Sequence, residues 1–483
     1  MFAEYSIAGQ WGYSLDDSWI YATYARNLAT GHGYTFNPGE HVAGATGPLY
    51  VLILAGLYRL FHDVVLPAKI LGIICLAGAS IILTLAVRRL KPKSEWTPLI
   101  AGVLLASSPP LLWGALGGLE IPVYLLVVCA GIYFYVAEQW ILATLCWSLG
   151  VWLRPEAIIL ALLGVLGRTE LSLKRLTQRA AIVGVLVGAY LAFNEAAGGW
   201  ILPNSVRVAN HPGGNPLVSE WIMVKQWADL WLGSIGAWHV SLHPVLLLPA
   251  LVVGSILILR LLPALPAFFV LLPATLALFR AWGGQFDRYL MPIVPFGIVL
   301  GMVGLEHACR RAAGSKAAGA VLTVGLLCFG WQAYMDRKVG IAHGWNVQNI
   351  NGMQRYIAEA TRRATSPGDT VAVNDVGAMG YFSNCYVLDL VGLTSERRSF
   401  PESLTRFKPK YLIIFPDWFQ QFAAVDPKTD QLVFYSGDST YKYSPFLGVR
   451  LRRNTISSRH TMFLYERMGR NETGALHPQL IVH

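Results

Sequence analysis

The sequence predicts an α-helical polytopic membrane protein that ends in a C-terminal soluble α/β domain. Three observations carry this reading. Of the 483 residues, 54% are hydrophobic and only 14% charged, whereas a soluble domain carries roughly 25% charged residues. The apolar residues are gathered into runs such as 66–87, 119–136 and 291–305. The longer runs approach the ~20 residues that cross a ~30 Å hydrocarbon core as a helix. Between the runs the basic residues form knots, and the last third of the chain loses the apolar runs altogether. So many apolar runs exclude a large soluble protein with buried helices.

The knots are Arg88, Arg89, Lys91 and Lys93; Arg168, Lys174, Arg175 and Arg179; and Arg310, Arg311 and Lys316. Basic residues concentrate in cytoplasmic loops, so these knots mark the inside, and the formal charge of +10 implies no nucleic-acid partner. Walking outward from them, residues 66–87 run inward and 97–112 return outward. Residues 119–137 run inward again, while 141–153 and 157–166 form a short out-and-back pair. Residues 180–193, 244–259, 261–279, 290–305 and 317–333 follow with alternating direction, and every knot falls inside. The first external loop (1–65) and everything from about 338 to 483 then lie outside, so the domains are 1–337 and 338–483. Residues 49–61 must begin and end outside, which makes them an amphipathic helix lying in the interface. Met1–Leu15 is too short and polar to span, so we expect a further apolar stretch encoded upstream.

In the tail, residues 346–365 have helical spacing. Residues 370–374, 386–391 and 411–415 read as buried strands, with later strands near 431–435 and 461–466. Five of the six cysteines fall in apolar runs and only Cys385 lies in the tail, so no disulfide framework is available there. No cysteine–histidine spacing, phosphate-binding glycine loop or Asp-x-Asp motif is present.

The external loops hold an unusual set of polar residues: Asp16, Asp17, Arg26, His32, Asn37, Glu40, Glu120, Arg154, Glu156, Asn204, Arg280, Asp287, Arg288 and Tyr289. Ionisable groups at a membrane edge are costly and mark function, and all of these share one side of the bilayer. Asp17 has a second reading as the N-cap of the helical stretch 18–28, and Glu120 and Glu156 as caps after their turns. Arg154 and Arg288 have a second reading as structural ion-pair members. Asp375 and Asp389 read as structural acids at strand ends. Trp11, Trp19 and Tyr289 are the aromatic residues placed to stack on a ligand.

The stretches Asp16-Asp17-Ser18-Trp19-Ile20, Tyr24-Ala25-Arg26-Asn27-Leu28, Gly31-His32-Gly33, Phe36-Asn37-Pro38-Gly39-Glu40 and Gly44-x-Thr46-x-Pro48-Leu49 resemble the first external loop of the C-type (GT-C fold) glycosyltransferases. They are most similar to the branch of terminal β-(1→2)-arabinofuranosyltransferases. Gly118-Leu119-Glu120, Arg154-Pro155-Glu156, Pro203-Asn204, Arg288-Tyr289-Leu290-x-Pro292, Asp375-x-Gly377-Ala378-x-Gly380-Tyr381 and Leu388-Asp389-Leu390-x-Gly392-Leu393 extend the likeness over nearly the whole chain. The chain departs from many relatives at Ala43 (Glu) and Gly47 (Asn).

The resemblance implies a GT-C-like fold and an inverting transfer of a pentose or hexose. The donor would be a polyprenyl-phosphate sugar and the acceptor a cell-envelope glycan, glycolipid or protein. The chain would be multi-pass in the bacterial inner (plasma) membrane, with its site on the periplasmic or extracellular side. Such transfer needs a base for the acceptor hydroxyl and cations for the departing phosphate, but no general acid, since phosphate leaves readily. The family's external-loop base matches Asp16, with Asp17 beside it. Arg154, Arg288 and Tyr289 are the candidate phosphate partners, and Arg26, His32, Asn37, Glu40, Glu120, Glu156 and Asn204 the candidate substrate contacts. No cofactor is required, although Asp16, Asp17 and Glu40 have the oxygen chemistry for a divalent metal. The rival readings are a transporter or flippase of lipid-linked sugars, and an inactive homologue serving as a binding subunit. The first would need charge within the spans, whose interiors are nearly free of it.

Overall fold

A computed structural model describes residues 1–166, 172–209, 247–278, 285–366, 368–396, 398–418, 423–425, 431–436, 439–468 and 479–483. Arg168, Arg280 and residues 244–246 lie outside the described residues. The chain is an α-helical membrane protein with a C-terminal sheet domain, as expected.

Each expected span that is described is helical. The first, α4 (Val65–Leu90), is about 39 Å long at 1.5 Å per residue. It buries Cys75, Leu76, Ala79 and Leu83 and exposes Ile70, Ile73, Ile74 and Ile81. An outward apolar face on a helix that is also buried on its other face is the mark of lipid as solvent. Among the described residues, Val65–Leu90, Leu173–Gly198 and the run Met291–Ala364 are long and apolar enough to cross a membrane. The expected span 97–112 is two helices, Thr97–Ala106 and Pro109–Leu116, bent by 47°. Pro109 and Pro110 follow the break and cannot donate to the preceding turn. The short out-and-back pair is Trp140–Leu149 and Ile158–Leu166, separated by two 3-10 turns around an extended Arg154 (φ −147°). Further on, the helices Leu247–Leu259 and Val294–Ala313 approach almost backbone to backbone. A Cβ on Gly254 would lie 1.8 Å from the Leu300 carbonyl, and one on Gly304 1.8 Å from that of Ala250. Small residues permit this close packing where no hydrophobic drive separates helix from lipid.

The first loop opens with α1 (Phe2–Ala8). Its Glu4 is fully buried between Lys69 (3.1 Å) and His343 (3.2 Å), and Lys69 also donates to the Leu116 carbonyl at 2.7 Å. Burial alone would raise the Glu4 carboxyl, but His343 and Lys69 outweigh it and hold the group below the ordinary glutamate range. This stabilisation is therefore present above that range and is lost as pH falls through the lowered value. Glu4→Ala leaves Lys69 buried without its carboxylate, and we expect a loss of ~3 kcal/mol or more. It would be read as a lower thermal midpoint in detergent; an unchanged midpoint would show the pair to be dispensable. Next come α2 (Asp17–Ala29) and α3 (Pro48–Phe61), the expected amphipathic helix, which buries Tyr50, Val51 and Leu54 and exposes Leu52, Leu60 and Phe61.

The final long helix, Ala317–Ile350, runs without a break through the expected domain boundary at 337. Five π-helical residues, Asn351–Arg355, then lead into the helix Tyr356–Ala364. The sheet follows: β1 (Thr370–Val373), β2 (Tyr386–Asp389) and β3 (Tyr411–Ile414) pair in parallel in the order β2-β1-β3. Antiparallel strands β7 (Thr461–Arg467), β6 (Ser439–Arg450), β5 (Leu432–Ser436) and β4 (Ala423–Val425) extend it, and β8 (Gln479–Val482) pairs with β6. Alternation splits the side chains between two cores. Val371, Val373, Val387 and Ile413 join the core that runs on through the helical domain, whereas Ala372, Leu388, Leu412 and Ile414 pack with Phe400 and Leu404 of the helix Phe400–Phe407. The apolar core thus crosses from the membrane helices into the sheet without interruption.

Candidate active site

Three loops and the start of α2 meet at one end of the helices. Glu120 holds the N-cap position of the helix Ile121–Val136, and its carboxylate accepts from Arg154 Nη1 at 2.5 Å. Arg154 Nε donates to Glu156 at 2.5 Å, so the capping readings of the two acids give way to a shared guanidinium. The Arg154 guanidinium also lies 5.3 Å from the centre of the Tyr289 ring, and that of Arg288 lies 5.1 Å from the same centre. Arg288 Nη2 then reaches Asp17 at 2.6 Å. The segment before Arg288 is strained, with positive φ at Phe286 (56°) and Asp287 (54°), and Phe286 stacks on Trp113 at 4.4 Å. Non-glycine residues held in this region cluster at functional sites. The result is a continuous chain of contacts, Glu156–Arg154–Tyr289–Arg288–Asp17, with Glu120 at its side. Several buried polar atoms there have no hydrogen-bond partner among the described residues: Glu120 Oε2, Arg288 Nε and Tyr124 Oη.

The acidic pair divides into two unlike groups. Asp17 keeps 44% of its side chain exposed. It is not the helix cap: Asp16 occupies that position, with no side-chain capping bond, and Asp17 lies in the first turn. Asp16 is only 7% exposed, and both of its carboxylate oxygens accept backbone N–H groups of the C-terminal domain, Gly377 at 2.6 Å and Ala378 at 2.8 Å. Burial first, and Asp375 beside it, push the Asp16 carboxyl well above the ordinary aspartate range, against the pull of the two amides. Burial, with further help from Asp17 and Asp389, lifts Asp375 to about 6. Asp16, the residue expected as the base, is thus buried with both oxygens engaged by backbone amides, and Asp17 is the more exposed carboxylate of the pair.

The other expected substrate residues are engaged elsewhere. Arg26 donates to the carbonyls of Tyr381 (2.6 Å) and Gly380 (3.0 Å). Asn37 exchanges two bonds with the Val387 backbone and donates to Glu40, and Tyr386 donates to Glu40. Asn204 donates to the Ser395 carbonyl at 3.3 Å, and exposed His32 contacts Thr30 at 2.9 Å. Arg26, Asn37, Glu40 and Asn204 therefore hold the first-loop region onto the C-terminal domain, since these are the polar groups that the seam must satisfy. Trp19 is 1% exposed and packs on Tyr13, Tyr381 and Phe382, so it is core and cannot stack on a sugar. Asp389 accepts from the amides of Val391, Gly392 and Thr394, a structural role as expected. Asp375, expected to be structural, instead stands beside Asp16, and Gln354, which the sequence did not single out, donates to it at 2.9 Å. The Asp375-x-Gly377-Ala378 motif carried a signal for that pairing; Gln354 carried none. Among the described residues no group of three or more His, Cys, Asp or Glu side chains is arranged to hold a metal ion.

A family described as a domain of unknown function (DUF8728) matches residues 343–465, which span the end of the last long helix and most of the sheet. No curated protein matches the chain. Among solved structures, ArnT from Cupriavidus metallidurans in the apo state is similar, with a TM-score of 0.58 at 11% identity over 96% of each chain. The same protein bound to undecaprenyl phosphate gives 0.56 at 12% identity, over 99% of this chain and 97% of that one. The oligosaccharyltransferase of Archaeoglobus fulgidus in its apo form gives 0.54 at 12% identity, over 85% and 67%. These neighbours are glycosyltransferases of the GT-C fold, and the fold of this chain is of that type.

Proposed function

We propose that this protein is an inverting glycosyltransferase, moving a pentose or hexose from a polyprenyl-phosphate donor to a cell-envelope glycan, glycolipid or protein. The reaction would take place on the non-cytoplasmic face of the bacterial plasma membrane. The observation that carries the reading is the half-exposed Asp17 carboxylate 2.6 Å from the Arg288 guanidinium: a base and a phosphate-binding cation meet at one point. Support comes from the fold, one of whose similar structures holds undecaprenyl phosphate, and from the first-loop motif, which resembles that of the C-type glycosyltransferases.

In this reading the resting ion pair keeps both charges satisfied. The donor phosphate then draws Arg288 from Asp17, helped by the guanidinium's planar fork. Asp17 takes the acceptor hydroxyl proton as the acceptor oxygen bonds to the anomeric carbon, and the carbon–oxygen bond to phosphate breaks with its electron pair going to the phosphate. A single displacement inverts the anomeric carbon. The donor brings its own leaving group, so the reaction as written consumes no cofactor. Base assistance of this kind contributes ~10²–10⁴-fold.

The test is turnover of synthetic polyprenyl-phosphate pentoses and hexoses, labelled in the sugar, by the purified protein in detergent. We expect release of polyprenyl phosphate from at least one donor, accelerated by an envelope-glycan acceptor. Failure to discharge any of the panel, by protein that is folded and monodisperse, would sink the reading.

A further inference from the structure

We propose that the C-terminal domain is a working part of the transfer site: the Gly377 and Ala378 amides seat Asp16, and that seat fixes Asp17 against Arg288. Asp16, Gly377 and Asp375 are then positioning residues. The inference rests on the transfer reading above and adds to it the means by which the base is held.

The seat is built from residues 361 and 362 positions away from Asp16, so it forms only when the sheet domain is docked. It also requires glycine. A Cβ at Gly377 would fall 1.9 Å from the Asp16 carbonyl oxygen and 2.9 Å from its Oδ2, distances that neither backbone nor carboxylate can accommodate without moving. Asp16 and Asp17 begin one helix, whose 3.6-residue turn sets their side chains about 100° apart. Anchoring the first carboxyl therefore sets the direction of the second. The seat is itself held from behind. Gln354, in the π-helical break between the last long helix and the sheet domain, donates to Asp375 at 2.9 Å and to Ser457 at 3.1 Å. Single π-helical turns inside helices recur at functional sites. The Arg26, Asn37 and Glu40 contacts hold the loop as a whole, but the Asp16 seat is the contact adjoining the reactive carboxylate.

Chemical steps are sensitive to such seating, and a displacement of ~1 Å can cost ~10²-fold. In the full-length protein, Gly377→Ala is expected to lower kcat at least tenfold while donor KM stays within about twofold. Carboxyl footprinting with a water-soluble carbodiimide, read by mass spectrometry, reports the seat without activity. Wild type should label at Asp17 and remain protected at Asp16 and Asp375, and Gly377→Ala should open Asp16. Should that variant not fold, Asp16→Asn offers the same split, because its amide nitrogen would face a backbone N–H that now needs an acceptor. Formate should restore turnover to Asp17→Ala and not to Asp16→Ala, since only the former lacks a base. Labelling of Asp16 in wild type as readily as Asp17, unchanged kcat in Gly377→Ala, or rescue of Asp16→Ala by formate would each overturn the proposal. A wild-type protein that discharges no donor sinks the transfer reading instead, and the footprint still decides whether the seat exists.

Discussion

Asp17→Asn is expected to lower transfer by about a hundredfold or more while leaving donor affinity within a few-fold of wild type. The side chain keeps its size, and its amide oxygen can still accept from Arg288 Nη2, which now sits at 2.6 Å from Asp17 Oδ2. What it loses is the capacity to take a proton from the acceptor hydroxyl. Donor binding depends on the guanidinium and should survive; the chemical step depends on the carboxylate and should not. The measurement is single-turnover transfer from a synthetic polyprenyl-phosphate sugar, with donor affinity taken separately on the same preparation. Asp16→Asn is the informative contrast, because that carboxyl is already occupied by two amides. We expect it to cost about tenfold, through misplacement of its neighbour. If Asp17→Asn turned over normally and Asp16→Asn did not, the base would be the buried acid, and the C-terminal amides would have to release it during the cycle.

The two aspartates also illustrate what a sequence carries and what it leaves open. Apolar runs and basic knots are local signals, and they placed the described spans because lipid imposes a length on each, although residues 180–193 extend to Leu173–Gly198 and the last span runs on to Ile350. Strands β1, β2, β3, β5 and β7 were legible from short β-branched and aromatic runs. Strand β6 was not: Pro445 and Gly448 interrupt its pattern, and the register shifts between Pro445 and Leu447. At the site, the residue types were legible but their partners were not. Nothing local in Asp16-Asp17 tells which carboxyl faces solvent, since the answer is supplied by amides some 360 residues later. Arg26, Asn37 and Glu40 looked like ligand contacts for the same reason; a buried polar seam between two domains and a binding pocket draw on the same residue types. Gln354 gave no signal because it is a single polar residue in a helical stretch whose partners, Asp375 and Ser457, lie far along the chain.

Arg288→Ala and Arg154→Ala should fail in different ways, although the sequence offers them as equivalent phosphate partners. Among the described residues Arg288 has one carboxylate partner, on a half-exposed side chain, and its Nε is buried without a partner. Removing it should weaken donor binding and slow transfer together, by about a hundredfold in kcat, since the lost donor would stabilise charge that grows on the leaving phosphate. Arg154 is instead 5% exposed and divided between Glu120 and Glu156. Its charge is offset by two carboxylates, which leaves it less to offer a phosphate than Arg288 has. Its removal strands two acids at the edge of the core, one of them with an oxygen already unpartnered, and breaking such a buried pair costs ~3–5 kcal/mol. Arg154→Ala should therefore appear first as a large fall in thermal midpoint, with lost activity following from lost fold. The double replacement of Glu120 and Glu156 by glutamine in the Arg154→Ala background tests this, because it removes the stranded charges. If that triple variant regained stability and transferred at a rate near that of wild type, Arg154 would be scaffold and Arg288 the phosphate cation. Recovered stability without donor binding would return Arg154 to the phosphate site.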